Sequence, residues 1–163
     1  MKFFNYTLFA LSVLSCGQTT KKTALHSTVS NYYDTYKERK DFDAFLEFYD
    51  ENIILEDVIS GDRKKGKKAF AEFFDWNHPS FRPLDSIALI IEKQIIDGRE
   101  VVTQGYFTPF KWDSIQVGHM HFTTILTFNL KGKIIRQVDW INYPANLIDY
   151  QKRDDSNSWI DNQ

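Results

Sequence analysis

Two acids and a phenol are the residues of this chain whose types and positions suit them to move a proton. Asp57 closes the apolar run Ile53-Ile54-Leu55-Glu56, and a carboxyl at the end of a buried strand is pushed from its solution pKa by desolvation. Asp139 sits in the alternating stretch Gln137-Val138-Asp139-Trp140-Ile141, and Tyr33 lies upstream among Val29, Tyr32 and Tyr36. A base and a hydrogen-bond donor at one cavity mouth can act on a carbonyl compound. The base takes a proton from carbon while the donor holds the developing oxyanion. The same residues have plain structural uses. An acid at a strand end accepts bonds from the amides of the next turn, and a tyrosine at helical spacing packs in a core.

The spacing around these residues defines the elements that must hold them. Val29, Tyr32, Tyr33 and Tyr36 recur at helical intervals and predict a first helix from about Ser27 to Lys40. Asp41 is placed to cap a second helix carrying Phe45, Leu46, Phe48 and Tyr49 on one face. The β-branched stretch Ile53 to Ile59 predicts a strand, followed by the turn residues Ser60-Gly61-Asp62. Ala69, Phe70, Phe73 and Phe74 mark a third helix from Gly66 to Trp76, and Pro79 and Pro83 break the pattern. From Ile87 the chain reads as strands. Ile87–Ile96 and Glu100–Trp112 flank Asp97-Gly98, while His119–Leu130 and Lys133–Tyr143 flank Lys131-Gly132. Helices first and antiparallel strands after them make an α+β domain, three N-terminal helices packed on a curved, mostly antiparallel sheet.

The last hairpin assigns faces. With Lys131-Gly132 as the turn, Leu130 opposes Lys133, and opposed residues share a face. Met120, Phe122, Thr124, Leu126 and Phe128 then line one side, beside Ile135, Gln137, Asp139, Ile141 and Tyr143. The other side carries His119, His121, Thr123, Ile125 and Thr127, with Arg136, Val138 and Trp140. The first side is the more apolar and is expected to face the helices, which sets Asp139 on the inner wall across from Thr124. A slip of one residue would turn it outward. A carboxyl on a buried wall needs a role: a base of raised pKa, a ligand contact, or the anchor of a structural bond. Met120, Phe122, Thr124 and Gln137 are the expected ligand contacts around it.

This pattern resembles the cone-shaped α+β domains of the nuclear transport factor 2-like superfamily, and within it the SnoaL-like polyketide cyclase and ketosteroid isomerase branch. The likeness runs from about Val29 to Tyr143, with its motifs between Tyr33 and Phe74. Tyr33 falls where ketosteroid isomerases carry their oxyanion-hole tyrosine, and Asp57 where they carry the general-base aspartate. Gly66 matches the glycine opening the next helix, and Asp41-Phe42-Asp43 match the loop between the first two helices. Those enzymes hold a second donor, a protonated aspartic acid, on a late strand. Thr124 stands there in this chain, and a hydroxyl is the weaker acid. Val58 replaces the proline that follows their base. Asp139 is similar in position to the acid–base aspartate of the cyclases. The resemblance implies a conical pocket for a small hydrophobic, ring-sized molecule with a polar end, and no cofactor. Two uses of such a pocket stay open: binding without chemistry, or cofactor-free isomerisation, cyclisation or dehydration through Asp57, Tyr33 and Asp139. A homodimer through the outer sheet face, at Ile125 and Trp140, is also implied.

The N-terminus reads separately. Lys2 precedes the apolar run Phe3–Leu14, too short to span a bilayer and of the length of a signal h-region. It ends at Val13-Leu14-Ser15-Cys16, which resembles the lipobox of bacterial lipoproteins, and Cys16 is the only cysteine. A secretory signal that happens to hold a cysteine is the alternative. The resemblance implies lipidation at Cys16 and a domain anchored to a membrane of the cell envelope, periplasmic or surface-facing. The expected division is a signal peptide over 1–15, a polar tether over 16–26, the SnoaL-like domain over 27–150 and a loose tail over 151–163 with a contact at Trp159.

Composition sets the outer bounds. A chain of 163 residues, 42% hydrophobic and 16% aromatic, has material for one domain with a real core. Its formal charge of −2 argues against nucleic acid or another polyanion as partner. Arg63, Lys64, Lys65, Lys67 and Lys68 form a basic run without a glycine-rich phosphate cradle, read as a solvated loop or a contact for anionic headgroups. His119 and His121 alternate and face one way, but no carboxylate lies across from them, so no metal site is expected.

Overall fold

A computed structural model describes residues 16–145, 147 and 148 of the protein. The signal peptide expected over 1–15 and the tail over 151–163, with Trp159, lie outside the described residues. The described chain runs α1 (Cys16–Glu38), α2 (Phe42–Leu46), β1 (Tyr49–Asp57), β2 (Asp62–Lys65), α3 (Lys67–Phe74) and β3 (Phe81–Pro83). It continues β4 (Leu89–Asp97), β5 (Glu100–Phe107), β6 (Phe110–Trp112), β7 (Ile115–Val117), β8 (Met120–Phe128) and β9 (Ile134–Ile141). This is the α+β order expected. None of the described helices is long and apolar enough to cross a membrane.

The helices form where the apolar spacing places them, with shifted ends. α1 begins at Cys16, so the backbone of the segment read as a tether is helical. Asp41 caps α2 by accepting the Ala44 amide at 2.9 Å. α2 stops at Leu46 because Tyr49 is already the first residue of β1. Gly66 opens α3 at a φ of 87°, a left-handed value that a side chain would strain. Phe45, with no exposed surface, is the hub where the three helices meet. Its ring packs against Tyr32, Tyr36, Tyr49, Phe70, Phe74 and Trp76. Truncating it to alanine is expected to cost about 3–5 kcal/mol.

The main sheet has the order β2-β1-β9-β8-β5-β4. Its neighbours are antiparallel except β1 and β9, which run parallel with Asp57 the register partner of Asp139. Irregularities in the β1/β9, β4/β5 and β8/β9 ladders bend the sheet around the helices. β3, β6 and β7 form a second, three-stranded sheet.

Several sequence expectations change here. The stretch Glu100–Trp112 is two strands: β5 ends at Phe107, and Pro109, lacking an amide proton, sends β6 into the smaller sheet. The first hairpin turns at Gly98-Arg99, because Asp97 pairs with Glu100. In the last hairpin the side chain of Asn129 accepts the amides of Lys131 and Lys133, and the ladder shifts between Thr127 and Phe128. Ile134 therefore takes the buried place expected for Ile135. Beyond the shift the expected register holds, with Thr124 opposite Asp139. Arg63, Lys64 and Lys65 are not a loop but lie in β2, paired with β1 at the sheet edge.

Candidate active site

β1 and β9 bring the two acids together. Their parallel register sets Asp57 beside Asp139 on the inner face, both buried. Asp57 is held from two sides. One oxygen accepts the amides of Ile59 at 3.1 Å and Ser60 at 3.0 Å, and the other accepts the hydroxyl of Tyr143. These bonds favour its charged form, yet burial outweighs them and its pKa is raised. This is the strand-end capping that the sequence also allowed, with a phenol added.

Asp139 sits in a different arrangement. Thr124 Oγ1 donates to one oxygen at 2.6 Å and Gln137 Nε2 to the other at 2.8 Å. Burial pushes its pKa up to about 7 against those two donors, and the nearby charge of Asp57 adds to the rise. Behind it runs a relay of neutral groups. Tyr49 donates to Gln137 Oε1 at 2.8 Å, which orients the amide so that its nitrogen faces Asp139. Since Tyr49 spends its single proton on Gln137, the 2.8 Å contact between the Tyr32 and Tyr49 hydroxyls has Tyr32 as donor. Burial raises the pKa of both phenols well above its ordinary value, so they stay protonated.

A cavity of about 460 Å³ opens in front of Asp139. Its wall includes Tyr36, Phe74, Trp76, Phe107, Phe110 and Met120, with Asp139, Tyr143 and Arg39 among its polar groups. Of the four expected ligand contacts, only Met120 lies on this wall. Thr124 and Gln137 stand behind Asp139 as its donors, and Phe122 packs on Phe107 with the rings tilted by 36° and their centres 4.8 Å apart. Asp57 is not on the wall; Tyr143 stands between. Tyr33 is not there either. Its hydroxyl is buried without a hydrogen bond of normal geometry, although the Thr103 side chain is close enough to ease slightly the strong rise caused by burial. One turn further along α1, Tyr36 takes the wall position.

Tyr143, Arg39 and Trp76 are among the wall residues outside the expected site. Alternation along the last strand puts Tyr143 on the inner face without giving it a partner. Arg39 follows Tyr36 at i+3, a spacing that could have placed it on the same face. Trp76 follows α3 with no signal of its own. The guanidinium of Arg39 lies over the rings of Tyr36, Trp76 and Phe81 at 5.2, 5.8 and 4.9 Å. On the opposite face of the sheet, His119 and His121 flank the ring of Tyr106 at 5.4 and 6.1 Å. No group of three or more potential metal ligands occurs among the described residues.

A curved sheet and three helices around a pocket with an acid on its inner wall define the nuclear transport factor 2-like class. Residues 29–137 match the SnoaL-like domain, and the chain belongs to that family. Solved structures agree on the fold. A protein of unknown function from Burkholderia xenovorans LB400, described as NTF-2 like, is 18% identical with a TM-score of 0.60 over 77% of this chain and 88% of its own. A Shewanella putrefaciens CN-32 protein classed with the SnoaL-like polyketide cyclases is 20% identical with a TM-score of 0.60, covering 73% and 90% of the two chains. An LEH-like epoxide hydrolase from M. tuberculosis is 16% identical with a TM-score of 0.58 over 73% and 83%. No curated protein matches the chain.

Proposed function

We propose that this SnoaL-like domain is a binding module for a small hydrophobic molecule with a polar end, carried on a lipid anchor at Cys16 in the cell envelope. The observation that carries the binding reading is Asp139, a buried acid of near-neutral pKa on the wall of a 460 Å³ aromatic cavity. Aromatic walls with few polar groups suit a ring-sized apolar body. The anchor rests on the apolar run Phe3–Leu14 ending at the single cysteine. Ile125 and Trp140, on the outer sheet face, are the residues through which a second copy would dock.

Calorimetric titration with a panel of bicyclic and steroid-like compounds, both neutral and carboxylate-bearing, tests the pocket. Micromolar binding by any of them, weakened in Met120→Trp, which fills the cavity, supports the reading; a panel that binds nowhere overturns it. Labelling of cells with an alkynyl fatty acid tests the anchor: wild type takes up the label, and Cys16→Ser does not.

A second reading is favoured by one observation, the register pairing of Asp57 with Asp139 beside the Tyr143 phenol. On this reading the domain is a cofactor-free isomerase, cyclase or dehydratase. Asp139 is the group at the cavity and has a pKa suited to moving a proton near pH 7. Asp57, first in line from sequence, would then act through Tyr143. Turnover of enolisable ketones by wild type, lost in Asp139→Asn with binding retained, would establish chemistry. Binding without turnover leaves the first reading alone.

A further inference from the structure

We infer that Arg39 and Trp76 form a receptor for a carboxylate on the molecule held in the cavity; this deepens the binding reading and rests on it. Arg39 is the residue after α1, held at a φ of 47°, a left-handed value where glycine is the easier choice. Its amide still closes the helix on the Thr35 carbonyl at 3.1 Å. That backbone turn sends the side chain across three ring faces, Tyr36, Trp76 and Phe81. Rings offer a guanidinium no acceptor for its N–H groups, and a planar carboxylate matches their fork in a way a neutral group cannot.

No carboxylate fills that place: among the described residues Arg39 has no acid within 4.0 Å, although it is packed among rings rather than held out in solvent as an unpaired surface lysine is. Its Nε is buried without an acceptor. Trp76, only 7% exposed, likewise has its indole N–H buried and unpaired. Both residues line the cavity. Two unsatisfied donors on one wall are costly unless a bound acceptor completes them. Glu72 and Asp75 also border the cavity, but neither comes within ion-pair distance of Arg39, and Asp75 accepts the amide of Asn77 at 3.0 Å. Burial pushes Tyr36 up to about 12, although the Arg39 side chain, by its charge and by its approach to the hydroxyl, eases the rise; Tyr36 is thus a neutral neighbour of the guanidinium and offers no anion.

The test compares 2-naphthoate with its neutral isostere 2-naphthamide by isothermal titration calorimetry. Wild type is expected to bind the naphthoate about tenfold more tightly, the gain of a charge-assisted pair over a neutral one. Arg39→Gln brings the ratio of the two affinities close to one, while Arg39→Lys, a cation without the fork, keeps part of it. Trp76→Phe, which removes the indole N–H, lowers the ratio. Circular dichroism checks that each variant is folded, and the wild-type ratio decides the matter even where one is not. Equal binding of the two probes to wild type overturns the carboxylate receptor and leaves the pocket reading standing. Binding of neither overturns the pocket reading and the receptor with it.

Discussion

Glu56 and Asp57 are neighbours on one strand and meet opposite fates. Glu56 turns to the outer face, 3% exposed, where Arg63 Nε at 3.2 Å and Arg136 Nη2 at 2.6 Å clamp its two oxygens. Asp57 turns inward to join Asp139, and no described cation lies within ion-pair distance of either. The sheet thus carries two kinds of buried acid, one neutralised by arginine and one left to hydroxyls, amides and each other. An acid paired with cations is a clamp between strands. Asp139, denied a cation and raised by burial to about 7, spends part of its time protonated at neutral pH, the state able to donate a hydrogen bond into the cavity.

The contrast is most sharply tested by pH. Asp139 titrates at about 7 in the folded protein against 3.8 when exposed. Between those values the folded state holds a proton that the unfolded chain has lost, so this group's contribution to stability falls as pH rises and levels off above about 7. Asp139→Asn abolishes that slope. The difference between the two urea-unfolding profiles is expected to change by on the order of 4 kcal/mol from pH 4 to pH 8. A constant difference would put Asp139 with the ordinary surface acids.

On the outer face the opposite holds. Glu56→Gln leaves Arg63 and Arg136 without their anion and costs about 2 kcal/mol at pH 7. That is less than the 3–5 kcal/mol of a wholly buried pair, because Arg136 is half exposed and solvent takes up part of the loss. Next in size is Tyr143→Phe, which strips one oxygen of Asp57 of its donor and lowers stability by about 1–2 kcal/mol. The smallest effect is the coupling within the pair. Asp57→Asn lowers the pKa of Asp139 slightly, seen in the carboxyl carbon shift by NMR, since the Asp57 charge adds only a little to the rise that burial causes. An unchanged value would mean that the two acids are independent.

How much of this could be read beforehand follows from the range of each signal. Thr124 across from Asp139 is a local pairing within one hairpin, and alternation alone carried it correctly past an unforeseen bulge. The bulge itself depends on Asn129 recapturing two amides, so Ile134 and Ile135 exchanged roles near the turn. The neighbourhood of Asp57 and Asp139 needs a parallel pairing between strands from the two ends of the domain, for which no short-range pattern exists. Arg39 was hidden for a similar reason. Its cradle joins α1, the end of α3 and β3, and only the closed fold assembles those rings.

That single parallel seam also times the making of the pocket. Tyr143 and Asp57, which bond across it, stand 86 positions apart, so closing the loop between them has an entropic cost that no local turn can defray. Before the last strand is in place, Asp57 has only its local partners, the amides of Ile59 and Ser60 and the neighbouring strand β2. A chain cut short of β9 would leave β1 and β8 without the strand that lies between them and the cavity without the wall that Asp139 supplies.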